Sequence, residues 1–186
     1  MSKIERAILY ATFAHADMTR KSKERAYILH PIEAMTIVGS ITNDEDVLAA
    51  AVLHDTVEDT GVTNEDILRL FGPRVAGLVA AESEDKRAGQ KAEDTWMVRK
   101  QETIALMEKA GRDERLVCLG DKLSNLREIA RDYERTGETF WQRFNQKDPE
   151  MHGWYYRSLY EILRTEFEGT PAIEEYRVLM EKVFGK

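Results

Sequence analysis

The stretch Val47-Leu-Ala-Ala-Ala-Val-Leu-His-Asp-Thr-Val-Glu-Asp59 decides the fold. Its first seven residues form the longest uninterrupted apolar run in the chain. A helix that is apolar on every side belongs in the middle of a helical protein, not on its surface. Seven residues fall far short of the roughly 20 that a membrane span needs. Asn43 or Asp44 can cap the helix, and Thr60-Gly61 breaks the run. Next come His54 and Asp55, then Glu58 and Asp59, one helical turn later if the helix continues. Polar groups at the end of a buried helix are costly without partners, and a metal ion would satisfy both His54 and Asp55.

Outward from this stretch the chain continues to read as helices. Ile4, Ala7, Ile8, Ala11 and Ala14 recur at helical spacing. Pro31 suits a first helical position and opens a helix through Ile32, Met35 and Val38. Thr63 can cap a short helix ending near Phe71-Gly72-Pro73, and another starts at Pro73. The polar run 84–94 reads as a loop. Helices follow at about 95–110, 113–135, 138–145, 149–167 and 171–184, separated by Gly111, Gly137 and Thr170-Pro171. No stretch alternates long enough to make a strand. The expectation is an all-α fold, one domain over residues 1–186, with about nine or ten helices.

Composition agrees. The 186 residues are 42% apolar and 33% charged, an ordinary globular balance with enough chain to bury a core. The net charge of −7 argues against a general nucleic-acid binder. No apolar signal core or membrane span is visible. Cys118 is the single cysteine, which fits a reducing compartment. A cytoplasmic protein without nucleic-acid or membrane partners is therefore expected. A homodimer is left open, since helical domains of this size often dimerise and no motif fixes the state. Charge is uneven: basic residues gather in 1–30 and acidic ones in 43–70. Charge alone favours solvated helix faces of opposite sign.

The chemistry gathers at few residues. The four histidines are His15, His30, His54 and His152. His30 stands at a helix entrance, before Pro31. In Leu119-Gly-Asp-Lys-Leu-Ser-Asn-Leu-Arg127, Leu116, Leu119, Leu123 and Leu126 mark the core side, with Asp121 and Asn125 one turn apart beside it. Two imidazoles and two carboxylates (His30, His54, Asp55, Asp121) suit Mn²⁺, Fe²⁺ or Zn²⁺ with open positions better than a closed structural zinc site. Each signal alone has a plainer reading, as a core histidine or an ion-paired aspartate. His15 reads as a hydrogen-bonded core residue and His152 as packing in an aromatic segment.

Tyr27-Ile-Leu-His-Pro31, Ala50-Ala-Val-Leu-His-Asp-Thr-Val-Glu-Asp59 and Gly120-Asp-Lys-Leu-Ser-Asn-Leu-Arg127 resemble the HD-domain hydrolases of the Rel/SpoT type, the (p)ppGpp 3′-pyrophosphohydrolases. Arg20-Lys21 is similar to the basic pair upstream of that family's first metal histidine, and Phe71-Gly-Pro-Arg-Val75 to the segment after its acidic motif. The resemblance spans about residues 5–165. With no room for a synthetase or regulatory region, it points to the small alarmone hydrolases. Residue 120 is Gly where the family commonly has Ala, and residues 15–19 differ from its usual His-x-Gly-Gln-x.

The resemblance implies His30, His54, Asp55 and Asp121 as metal ligands, usually for Mn²⁺, with Glu58 and Asp59 beside the reacting water. It implies nucleotide contacts from Arg20, Lys21, Asn125 and, by a looser alignment, Tyr155. The expected reaction removes pyrophosphate from the 3′ position of ppGpp or pppGpp to give GDP or GTP, degrading the stringent-response alarmone. A change of substrate, to NADPH or another nucleotide, keeps the same metal centre. A non-catalytic nucleotide-binding module is the third reading, and the intact Glu58-Asp59 pair weighs against it. The pyrophosphate needs cations to offset its charge; Lys86, Arg87, Arg99, Lys100 and Lys122 are available, though Lys122 need not enter the site.

Overall fold

The computed structural model describes residues 1–20, 24–87 and 89–185. Among them are ten α-helices: α1 (Lys3–Ala14), α2 (Leu29–Gly39), α3 (Glu45–Leu53), α4 (Thr56–Asp59), α5 (Asn64–Phe71), α6 (Pro73–Glu82), α7 (Ala92–Lys109), α8 (Arg112–Thr136), α9 (Pro149–Phe167) and α10 (Pro171–Phe184). A 3₁₀ segment, Gly137–Arg143, follows α8. The described residues contain no strand, only an isolated bridge between Thr19 and Ala26. No described helix is long and apolar enough to cross a membrane.

The helix ends follow from their residues. Asp44 caps α3 by accepting from the Asp46 and Val47 amides. Ser2 with Glu5, and Thr63 with Asp66, form reciprocal capping boxes on α1 and α5. Such a cap contributes about 1 kcal/mol. One expectation shifts: α2 begins at Leu29, so Pro31 is its third residue rather than its first. The first turn has no intrahelical use for that N–H, so proline is tolerated there. The loop after α6 also ends earlier than its polarity suggests, at Lys91.

In α3, every residue from Val47 to Leu53 except Leu48 is buried. Three consecutive alanines let neighbours approach, and α3 packs against α1, α2, α6 and α8. The longest helix, α8, passes through the centre and also meets α2, α9 and α10. Leu116, Leu119, Leu123 and Leu126 are fully buried along it. Burying each such side chain stabilises the fold by roughly 1.5–3 kcal/mol.

Two local features bring the polar residues together. The helix does not run through His54-Asp55: α3 ends at Leu53, His54 is its last cap, and Asp55 starts the single turn of α4. Both residues keep right-handed helical dihedrals, so their side chains set out about 100° apart, yet they meet with His54 Nε2 3.2 Å from Asp55 Oδ2. The second feature is a close crossing of α2 on α8. An added Cβ at Gly120 would lie 2.7 Å from Val38 Cγ2 and 2.8 Å from the Ala34 carbonyl oxygen. This seam sets His30 against Asp121.

Candidate metal centre and active site

Four side chains converge where α2, α3 and α8 meet. His30 Nε2 lies 3.1 Å from Asp121 Oδ1 and 3.4 Å from Asp55 Oδ2. His54 Nε2 lies 3.2 Å from Asp55 Oδ2 and 3.6 Å from Asp121 Oδ1. The two Nε2 atoms are 3.2 Å apart. His30, His54 and Asp121 are buried, and their donor atoms fall within 4.8 Å of one another.

The outer hydrogen bonds fix both tautomers. His54 Nδ1 faces the Ala51 carbonyl at 2.8 Å, which can only accept, so this nitrogen carries the proton. The Ser124 hydroxyl donates to Glu33 Oε2 at 2.8 Å and therefore accepts from His30 Nδ1 at 2.9 Å. Both Nε2 atoms then turn lone pairs toward two carboxylates. Such a set of lone pairs repels itself unless a cation lies between them, and two imidazoles with two carboxylates suit a divalent transition metal. Burial opposes charge on Asp55 and Asp121. For Asp55 the facing histidines, and for Asp121 chiefly Lys122, outweigh burial and hold the carboxyls well below the ordinary range. Burial likewise opposes charge on His54, and with no cation between them Asp55 and Asp121 outweigh it, raising the imidazole well above its usual range, so that a proton competes with an ion for Nε2. Asn125 Nδ2 donates to Asp121 Oδ1 at 2.6 Å, and Lys122 pairs with the other oxygen.

Glu58 and Asp59 stand next to this centre. Glu58 Oε2 accepts from the Glu84 amide at 3.1 Å, and burial is the chief reason its carboxyl is raised. The Tyr27 hydroxyl sits between Asp55 Oδ2, at 2.7 Å, and Asp59. Lys86 pairs with Asp59 and lies 3.5 Å from Glu58.

Two adjoining cavities open here. A polar one of about 200 Å³ is lined by the metal-centre residues His30, Asp55 and Asp121, with Glu58 and Asp59. A larger one of about 590 Å³ is lined by Met18, Ile129, Phe144 and Tyr156 among others, and shares Arg20, Tyr27, Asp59 and Asn125 with the first. Arg20 donates to Asn125 Oδ1 at 2.6 Å and Glu128 Oε2 at 2.9 Å, and lies over the Tyr27 ring.

The sequence-predicted residues divide accordingly. His30, His54, Asp55, Asp121, Glu58, Asp59, Arg20 and Asn125 come together. Lys21 lies outside the described residues. Tyr155 does not line either cavity; its ring is buried beneath Lys100 Nζ at 4.8 Å, and the neighbouring Tyr156 faces the larger cavity. His15 is buried and stacks on Tyr27 at 4.7 Å, with no hydrogen-bond partner among the described residues, contrary to the expected core hydrogen bond. His152 packs among Trp96, Trp141 and Phe144. Sequence reasoning missed Tyr27 and Glu82 and left open whether Lys122 enters the site, which it lines. Glu82 is buried 3.8 Å from Lys122, and burial pushes its carboxyl up to about 7.

The HD domain family model matches residues 7–148. The chain belongs to the HD domain family. It is 40% identical over 131 residues to the guanosine-3′,5′-bis(diphosphate) 3′-pyrophosphohydrolase MESH1 of Drosophila melanogaster, covering 69% of this chain and 70% of that protein. It is 33% identical over 129 residues to the guanosine-3′,5′-bis(diphosphate) 3′-pyrophosphohydrolase of Aquifex aeolicus, covering 68% of this chain but only 18% of that longer protein. A solved structure, described as a metazoan ortholog of SpoT that hydrolyzes ppGpp and plays a role in starvation responses, superposes with a TM-score of 0.76 at 30% identity. That match covers 98% of this chain and 95% of the other. HD-domain hydrolases are metal-dependent, and the buried His30, His54 and Asp121 group can bind a metal.

Proposed function

We propose that this HD-domain protein removes pyrophosphate from the 3′ position of guanosine tetra- or pentaphosphate, using a divalent ion, Mn²⁺ in our reading. The observation that carries it is the centre of four lone-pair donors beside Glu58 and Asp59, opening into a polar cavity of about 200 Å³ that adjoins one of about 590 Å³. The larger volume is in the range of small-molecule sites. The relatives named for this reaction support the choice of substrate.

His30, His54, Asp55 and Asp121 would hold a divalent ion, which would supply a water of lowered pKa, toward about 7. The residues of the chain do the rest. Glu58, raised by burial and held by the Glu84 amide, orients the attacking water and accepts its proton. Asp59, fixed by Tyr27 and Lys86, flanks the same point. The water oxygen bonds to the phosphorus carried on the 3′ oxygen. The bond between that phosphorus and the 3′ oxygen breaks, the 3′ oxygen takes up a proton from solvent, and pyrophosphate leaves with the water oxygen. Arg20 and Asn125 meet the nucleoside where the two cavities join, with Tyr156 on the outer wall.

The test is pyrophosphate release from ppGpp with Mn²⁺, against chelated protein and Asp121→Ala. Metal-dependent release that is lost in the variant is the expected result. No release from folded, metal-loaded protein rejects the alarmone reading and directs the assay to NADPH and other nucleotides.

A further inference from the structure

One wall of the polar cavity carries a group that the reaction as described leaves unused. Both oxygens of Glu84 are occupied from α7: Oε2 accepts from Arg99 Nη1 at 2.8 Å, and Oε1 accepts from Lys100 Nζ at 2.6 Å and Thr103 Oγ1 at 3.2 Å. All three charged side chains are largely buried, at 12% exposure for Glu84 and Arg99 and 18% for Lys100. Glu84, Arg99 and Lys100 line the same cavity as His30, Asp55 and Asp121, with Lys122 beside them. The Glu84 amide, in turn, holds Glu58.

Two cations and a hydroxyl closing on the two oxygens of one carboxylate make a cradle for an oxyanion. Buried cations of this kind are held in place by a counter-charge, and Glu84 supplies only one. A diphosphate brings more negative charge and more acceptor oxygens than a carboxylate does. The same donors would hold it more strongly in a site shielded from water.

We infer that Arg99 and Lys100 form the subsite for the diphosphate, and that the Glu84 carboxylate occupies the place of one of its oxyanions until the diphosphate displaces it. The inference rests on the reading of the site as a phosphohydrolase centre. The diphosphate spans from the metal centre, where its bond to the ribose breaks, to the α7 cations, which retain it after cleavage. Glu84 then helps release the product by taking the cations back.

The experiment measures binding of inorganic pyrophosphate by calorimetry to Mn²⁺-loaded protein, with free Mn²⁺ in excess so that the ion is not stripped. Glu84→Gln removes the competing charge and is expected to tighten pyrophosphate binding by about tenfold. Lys100→Met is expected to weaken it by about tenfold, and Lys100→Arg to restore most of the loss. Melting temperature and bound metal are recorded for each variant, and Arg99→Ala replaces Lys100→Met if the latter does not fold. Affinities within twofold of wild type in Glu84→Gln and in the cation variant overturn the inference. Because the probe is pyrophosphate itself, the result stands apart from turnover. Altered binding without ppGpp hydrolysis supports the subsite while rejecting the alarmone substrate.

Discussion

Replacing Gly120 by alanine tests the seam that positions the metal centre. The new methyl would lie 2.7 Å from Val38 Cγ2 and 2.8 Å from the Ala34 carbonyl oxygen. Comfortable carbon contacts are about 3.5–4.0 Å. Val38 can change rotamer, but the carbonyl moves only if α2 moves, by several tenths of an ångström or more. Overpacking of this kind costs about 1–3 kcal/mol. Alanine also gains roughly 1 kcal/mol over glycine in a helix interior, so the net expectation is a loss of up to about 2 kcal/mol. At roughly 2–4 °C per kcal/mol for a chain of this size, the melting temperature falls by up to about 8 °C. Gly77→Ala is the matched control. It lies mid-helix in α6 and its added methyl meets nothing within 4 Å, so only the propensity gain applies and the melting temperature should rise. Calorimetry of the two variants reads the difference. Ala34 is one turn beyond His30, and Gly120 adjoins Asp121. The Gly120 variant should therefore also bind Mn²⁺ more weakly, by titration, while the Gly77 variant binds as wild type. Equal stabilisation by both substitutions would refute the close crossing of α2 and α8.

Three further outcomes are expected. Tyr27→Phe removes the hydroxyl shared by Asp55 and Asp59; a hydrogen bond to a charged group is worth about 1.5–3 kcal/mol, so kcat should fall roughly tenfold to a hundredfold, and an unchanged kcat in steady-state assays would remove Tyr27 from the machinery. Chelated protein should lose stability as pH rises: the Glu82 share goes between about 4.5 and about 7, because burial pushes its carboxyl up to about 7, and the His54 share goes from about 6.5 upward, because its carboxylate neighbours raise it; each favours the folded state while protonated. Metal-loaded protein should instead gain with pH as protons stop competing for the imidazoles, so the gap between the two melting curves widens, and a pH-independent gap would count against this ligand set. Lys122→Met leaves Asp121 and Glu82 without their buried cation, and denaturant unfolding should show a loss of about 3–5 kcal/mol; a loss below 1 kcal/mol would show that the lysine is dispensable.

The helices were legible because their signals are local. Apolar spacing, capping residues and the Gly and Pro breaks lie within a few residues of each helix. The convergence of His30, His54, Asp55 and Asp121 could be anticipated from motifs, because each ligand sits in a distinctive string. What escaped depends on contacts distant in sequence or on a rotation of one residue. Tyr155 and Tyr156 are adjacent, yet about 100° of helical rotation sends one beneath Lys100 and the other to the cavity. The same geometry left the place of Lys122 open, and its long stem bends back to Asp121. Glu82 and Glu84 lie in or beside a polar connection whose sequence gives no sign that α7 and α8 supply their partners.

The break between α3 and α4 has a kinetic consequence. In the proposed ligand set His54 and Asp55 are neighbours on one backbone turn, so they would act as a single two-armed chelator. When an ion lets go of one arm, the other keeps it within reach, so recapture outruns escape. Full release waits for His30 or Asp121 to withdraw as well, and those are carried by separate helices. Ion exchange should therefore keep time with the relative motion of α2 and α8 rather than with the flicker of individual side chains, and an ion once seated should stay through many rounds of ligand traffic.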